Sequence, residues 1–322
     1  MKQFKLLPKL YLSTALLACG LWFGGCSKSN QDEVKPVSVV AHSDFSVVDG
    51  RLVFKDSDAH VRTLEKLKSM SQTNLALWEK ELNFSSLRAG DAKGELALKE
   101  EFGFPSFVAA TINRKGEYQA GNKFYWFHNH QLHEFNSLAD LELAQRGQNV
   151  KHEALNAGMI KLKAPVAQRL IGPSAPRDGR YQSDFCLGGN CGSRRKIVYE
   201  TWAYYQQLNA FPTYYTVVVL STKLEYYSRD GWKNAGDTRS VNVQLGGTAK
   251  LGAVTSTICD NQVNISWNGT TNGNVDFTVS ACQISGFDPS QMYWDFTLNG
   301  TISSFVAGYQ SQTYTVQGNN LW

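Results

Sequence analysis

Ile197 to Tyr205 reads Ile-Val-Tyr-Glu-Thr-Trp-Ala-Tyr-Tyr, and Tyr214 to Tyr227 reads Tyr-Tyr-Thr-Val-Val-Val-Leu-Ser-Thr-Lys-Leu-Glu-Tyr-Tyr. Both runs are dense in β-branched and aromatic residues, which pack well on a pleated surface and poorly in a helix. They predict two strands. Shorter runs of the same kind follow at Ser240–Leu245, Val263–Trp267, Val275–Ser280, Met292–Leu298 and Tyr309–Val316. Turn dipeptides stand among them at Asn268-Gly269, Asn272-Gly273 and Asn299-Gly300. Seven short strands without helical periodicity predict an all-β sandwich or barrel over residues 195–322.

Upstream the period changes. Leu52–Phe54 suggests a short strand. Asp56-Ser57-Asp58 then opens a helix whose apolar positions are Val61, Leu64 and Leu67, and Ser71 caps a second with Leu75, Trp78 and Leu82 on one side. A third helical stretch, Asp91 to Glu101, ends before Gly103 and Pro105. Gly116–Gly121, Lys123–Phe127 and Leu132–Phe135 read as a small meander, with a further helix at Asp140–Gln148. Residues 39–163 therefore form a small region of helices and hairpins, and the fold class is α+β. Pro165, Pro173, Pro176 and several glycines make 164–194 an irregular linker and the expected domain boundary.

The beginning of the chain carries an address. Lys2, Lys5 and Lys9 precede an apolar stretch from Leu10 to Phe23 that is too short to span a bilayer, the pattern of a signal peptide over residues 1–25. It ends in Phe23-Gly24-Gly25-Cys26-Ser27, which resembles a bacterial lipobox with Phe23 where leucine is usual. Cys26 is then the acylated N-terminus, and two or three acyl chains at about 0.8 kcal/mol per buried CH₂ anchor a protein durably in lipid. Residues 26–38 follow as a polar, lipidated tether.

The 322 residues are 42% hydrophobic and 19% charged, which fits one large or two modest globular domains and excludes a disordered chain. Formal charge is +4, but three of the lysines lie in the leader, so the mature chain is nearly neutral. A nucleic-acid partner is not expected, because phosphate binding needs concentrated Lys and Arg. Four cysteines remain beyond the leader and Cys26: Cys186, Cys191, Cys259 and Cys282. In an exported protein an even set predicts disulfides. Three connectivities are possible; Cys186 with Cys191 and Cys259 with Cys282 is the favoured one, because Gly188-Gly189 permits the tight ring of the first bridge. The spacing of Cys186 and Cys191 matches no zinc or redox dithiol pattern.

Acylated Cys26, the Leu67–Trp78 helical pair followed by Phe84-Ser-Ser-Leu87, Gly116-Glu-Tyr-Gln-Ala-Gly121 and Tyr226-Tyr-Ser-Arg-Asp-Gly-Trp-Lys233 resemble exported lipoproteins of unknown function from Bacteroidetes-type bacteria. Gln31-Asp32-Glu33 looks like the acidic export signal of such proteins. The resemblance implies an outer-membrane lipoprotein, in the periplasm or on the cell surface, and supplies no catalytic residues.

Two constellations remain. His128-Asn-His-Gln-Leu-His133 holds three of the six histidines. On one strand His128 and His130 would share a face and ligate a metal, whereas a hairpin turn over His128–Gln131 would splay the rings; the hairpin is the favoured reading and no metal is expected. Trp202, Trp232, Trp267 and Trp294 are the candidate binding residues, since exposed flat rings stack on sugars. The competing reading places these rings in a two-sheet core. There is no G-x-S-x-G, H-E-x-x-H or P-loop, and no cofactor is expected. The expected function is a non-catalytic binding module, with membrane lipid as partner through Cys26 and a carbohydrate as ligand. The alternative is an exported glycosidase or peptidase using dispersed acids such as Glu200, Glu225, Asp230, Asp288 and Asp295.

Overall fold

In the computed structural model the described residues are 42–161, 180–209, 213–253, 256–286 and 292–321. The leader, Cys26, the tether, Asp288 and Trp322 lie outside them. The described residues all belong to one compact unit.

The first layer is a six-stranded sheet: β1 (Phe45–Val48), β2 (Arg51–Phe54), β3 (Glu117–Ala120), β4 (Lys123–His128), β5 (Gln131–Phe135) and β6 (Glu153–Leu155), in that order. All neighbours are antiparallel except β2 and β3. The parallel pair needs a crossover, supplied by α1 (Ser57–Leu67), α2 (Gln72–Glu81), α3 (Lys93–Phe102) and α4 (Ser106–Ala109). Capping fixes their starts: Asp56 accepts from the Ala59 N–H and Ser71 from the Asn74 N–H. Gly103, at φ 61°, ends α3 in the left-handed conformation. On α1, Leu64 and Leu67 are fully buried, each contributing about 2 kcal/mol. α5 (Leu138–Gln145) is capped by Ser137.

The second sheet is built on β9 (Arg194–Gln207) and β10 (Thr213–Ser228), which pair antiparallel along nearly their whole length. β7 (Ala157–Lys161) and β8 (Arg180–Cys186) share the other edge of β9, while β11 (Gly231–Asn234) and β14 (Val275–Ser285) share the other edge of β10. The third sheet runs β13 (Ser256–Thr271), β12 (Arg239–Ala253), β15 (Met292–Val306), β16 (Tyr314–Gln317).

The central parts of β9 and β10 are buried on both faces. Trp202, Tyr204, Tyr215, Val217 and Val219 pack with Phe45, Leu64 and Phe104 of the first layer. Their alternates Tyr199, Ala203, Val218 and Leu220 pack with Val243, Leu251 and Phe296 of the third sheet. The apolar run at 214–220, broken only by Thr216, is the signature of a strand covered on both sides. It also corrects the expectation that Trp202 presents an exposed ring for binding.

The class is α+β, with a mixed sheet and helices first and a β-rich region with a curled, half-barrel sheet after it. Curling is possible because β12 and β15 carry glycines where they cross closely. A Cβ on Gly247 would lie 1.9 Å from the Thr297 oxygen, and one on Gly300 1.9 Å from the Gln244 oxygen. Several expected boundaries shift. Asn268-Gly269 and Asn299-Gly300 lie inside β13 and β15 instead of forming turns, because flanking strands supply ladder bonds that override local turn preference. Tyr309–Val316 is a strand only from Tyr314, after a short helical turn at Gln310–Gln312. The described part of the expected irregular linker includes β8, which pairs with β9 from Arg180↔Glu200 to Cys186↔Arg194.

Candidate binding cleft

β13 and β14 are consecutive in sequence yet belong to different sheets. β13 ends the third sheet, and among the described strands β14 pairs only with β10. Each therefore has one edge without a ladder partner. The two strands are tied together at both ends. At one, Cys259 pairs with Cys282, and the Asn261 Nδ2 donates to Ser280 Oγ (2.8 Å) and the Ala281 carbonyl (2.9 Å). At the other, the chain turns through residues 272–274, where the Gly273 N–H donates to Thr271 Oγ1 (3.1 Å).

Between these ties the edges part around a cleft of about 690 Å³, within the size range of small-molecule sites. Its third wall is Lys68–Thr73, the connection between α1 and α2 with the first two residues of α2, held to β14 by the Thr278 hydroxyl, which donates to the Lys68 carbonyl (3.5 Å). Trp267 is half-buried in the lining, its indole edge-on to Phe277 with centroids 5.7 Å apart. Most polar lining groups are amides and hydroxyls, among them Asn261, Gln262, Asn264, Ser266 and Thr270. Asp276 is the single carboxylate among them. It is half-buried, accepts from Ser106 Oγ (3.0 Å), and burial pushes its carboxyl above the usual range.

The four tryptophans singled out in the sequence do not share a surface. Trp202 is 9% exposed and donates its indole N–H to the Gly103 carbonyl (3.1 Å); Trp294 is 6% exposed and stacks on Phe296. Both are core residues. Trp232 is half-buried beside Tyr227 (5.3 Å), with the Lys196 ammonium 4.1 Å from its ring centre. Trp232 is held at Tyr227 of β10, whereas Phe277 beneath Trp267 pairs with Leu220. Seven residues of strand, about 23 Å, separate these anchoring points. Only Trp267 lines the cleft.

The candidate acids are dispersed as well. Arg180 bridges Glu200 (3.4 Å) and Glu225 (3.2 Å), which also meet Lys223 (2.6 Å) and Lys196 (3.0 Å) respectively. Asp230 is exposed with Lys233 at 3.0 Å, and Asp295 is exposed on β15. None of these four lines the cleft.

The histidine segment is a hairpin. β4 extends to His128, β5 begins at Gln131, and Asn129 and His130 take φ values of 49° and 59°, the geometry of a two-residue turn. His130 stands at the tip, where its N–H meets Glu101. His128 stacks on Trp126 (4.2 Å), and His133 lies across from it at 6.5 Å, its Nε2 on the His128 carbonyl. His152, which the sequence reading passed over, reaches His133 at 4.8 Å through β6. Among the described residues no three His, Cys, Asp or Glu side chains converge on a metal position.

The second disulfide joins Cys186 and Cys191, with Cα atoms 4.4 Å apart against 6.4 Å for Cys259 and Cys282, both within the span such a bridge allows. It closes a loop against the C-terminal segment, where Gln312 Nε2 donates to the Cys186 carbonyl (2.8 Å).

No protein-family model matches the sequence, and no curated protein does. Among solved structures the chain is similar to a DUF4848 family protein from Bacteroides thetaiotaomicron VPI-5482, at 13% identity over 84% of this chain and 98% of that one, with a TM-score of 0.20. At that score no residue role is carried over.

The residues that shape the cleft escaped the sequence reading for a physical reason. Asn261 and Asp276 are ordinary polar residues until the two strand edges meet. Gly269 reads as a turn glycine, but a Cβ there would lie 2.7 Å from Trp267 Cζ2, so its bareness gives the indole room to lie along the strand.

Proposed function

We propose that this chain is a lipoprotein held in the outer membrane by acylated Cys26, facing the periplasm or the cell surface, and that it binds glycans without catalysis in the β13–β14 cleft. The observation that carries the reading is Trp267: a half-exposed indole in a concave site whose polar lining is mostly amide and hydroxyl. An aromatic face packs on the C–H surface of a sugar ring while amides and hydroxyls exchange hydrogen bonds with its hydroxyls. The exported glycosidase or peptidase is the weaker reading. Glycoside hydrolysis by the usual route needs two carboxylates flanking the bond, and Asp276 stands alone in the lining.

A glycan array probed with the soluble mature chain tests the reading. Binding is expected, and Trp267→Ala should weaken it at least about tenfold, a loss of about 1.4 kcal/mol. Silence across the array would sink the glycan reading. The anchor is tested separately: Cys26→Ser should release the protein from the membrane fraction and abolish acyl-chain labelling, and an unchanged membrane pool would reject it.

A further inference from the structure

The cleft's charges are already spent, and this constrains the class of sugar. Its lining carries one cation, Lys68, and one carboxylate, Asp276. The Lys68 ammonium is paired with Glu65, and Asp276 is turned onto Ser106. An acidic sugar entering this site would lose hydration without gaining a free cation, and an uncompensated charge is costly to bury. Neutral hydroxyls meet matching groups instead, since the rest of the polar lining both donates and accepts without charge.

Shape adds a second constraint. The walls follow the strands from Asn261 to Thr271 on β13 and from Val275 to Ala281 on β14. Ten and six residue steps at about 3.3 Å make a trench of roughly 20–33 Å, elongated along the seam. The unladdered edges add backbone N–H and C=O groups along its length. A single sugar ring covers a fraction of such a surface.

Resting on the glycan reading above, we infer that the cleft selects an extended, neutral oligosaccharide over acidic glycans and over single sugars, with Trp267 as the stacking platform and Gly269 as the residue that positions its ring. Gly269 lies within a regular strand, and the three atoms nearest its ideal Cβ all belong to the Trp267 ring, the first two at 2.7 and 2.8 Å. Gly269→Ala therefore displaces the indole while leaving the backbone conformation accessible.

The test is titration of the soluble mature chain, followed by calorimetry and tryptophan fluorescence. The probes are neutral hexasaccharides (cello-, xylo-, manno- and maltohexaose), their monosaccharides, and acidic hexamers of galacturonate and of heparin. At least one neutral hexamer should bind about tenfold or more tighter than its monosaccharide and keep its affinity in about 0.5 M salt, because no exposed charge pair is involved. Gly269→Ala should weaken that binding several-fold with the circular dichroism spectrum unchanged, Trp267→Ala should remove it, and Trp232→Ala should leave it intact. Since Trp267 packs on Phe277, Ser266→Arg serves as a second blocking variant at an exposed lining position. An acidic hexamer that binds as tightly and depends on Trp267, or a monosaccharide that equals its hexamer, overturns this inference and leaves the glycan reading standing. Failure of every saccharide overturns both.

Discussion

The first layer and the third sheet handle buried polarity and free edges in opposite ways. In the first layer, buried charges are paired across elements. Arg51 on β2 donates from Nε (3.2 Å) and Nη2 (2.8 Å) to Glu117 on β3, which also accepts from Gln145 (2.6 Å) and Asn113 (3.0 Å). Burial pushes the Glu117 carboxyl up, but the bonds from Gln145 and Asn113 and the Arg51 charge outweigh it and hold the carboxyl below its usual range. Around this pair the core is a dense set of rings, with Tyr118 stacked on Tyr125 at 4.6 Å and His60 lying between Phe54 (4.4 Å) and Tyr118 (4.7 Å). The β-rich part instead buries Arg239 completely on bonds from Nη2 to the Thr222 carbonyl (2.7 Å) and hydroxyl (3.0 Å), and burial lowers the guanidinium to about 10. It also leaves long strand edges unladdered and joins them with a disulfide. A layer that pairs its charges around a closed aromatic core has little left to offer a ligand, whereas a sheet with an open seam does.

The largest test of this contrast is Arg51→Met. Removing the cation leaves Glu117 buried without its counter-charge, which should cost about 3–5 kcal/mol in urea denaturation. A loss under about 1 kcal/mol would show that Gln145 and Asn113 suffice and that the pair is not what closes this layer. Next comes the staple. In the chain-entropy model Cys259 and Cys282, 23 residues apart, should contribute about 3 kcal/mol, against about 2 for Cys186 and Cys191, five apart. The double variant Cys259→Ser/Cys282→Ser should also weaken glycan binding, because the seam loses one of its ties; the Cys186/Cys191 double variant should leave binding unchanged. Equal effects of the two on binding would dissociate the staple from the cleft.

His60 gives a pH test confined to the first layer. Burial lowers its imidazole to about 3 from an ordinary 6.5, so the folded protein keeps it neutral while the unfolded chain takes up a proton below pH 6.5. Its contribution is therefore fully present above pH 6.5 and is lost as pH falls toward 3, at about 1.4 kcal/mol per pH unit. His60→Leu should flatten the stability profile between pH 6.5 and 4.5, by up to about 2.7 kcal/mol over those two units. An unchanged acid slope would mean that the imidazole is not the group that titrates. The smallest effect is expected for Arg239→Met, since a buried charge with no counter-charge among the described residues is replaced by a side chain of similar volume. A change within about 1 kcal/mol, set beside the loss at Arg51, would separate the two regions most sharply, and an equal loss at both positions would erase the distinction.

Local signals were legible. Asp56 and Ser71 mark the helix starts because each side chain bonds a backbone N–H three residues on, an interaction complete within one turn. The β-branched and aromatic runs at 197–205 and 214–227 identified strands, since such side chains pack well on a pleated surface whatever lies beyond it. Which face of a strand is covered is not a local property. Trp202 and Trp267 look alike in sequence, yet one lies under the first layer against Gly103 and the other on an open seam. The turn dipeptides misled for the same reason: Asn268-Gly269 and Asn299-Gly300 have neighbours in β12 that pay no heed to local preference.

Composition and periodicity alone therefore determined the α+β class, the helix caps and the strand-forming runs, all effects of residues within a few positions of each other. The cleft was decided only by tertiary structure. It exists because β13 joins the third sheet and β14 the second, and that choice is made by pairings such as Val218↔Ser280 and Val243↔Trp267, which depend on contacts made across tens of residues.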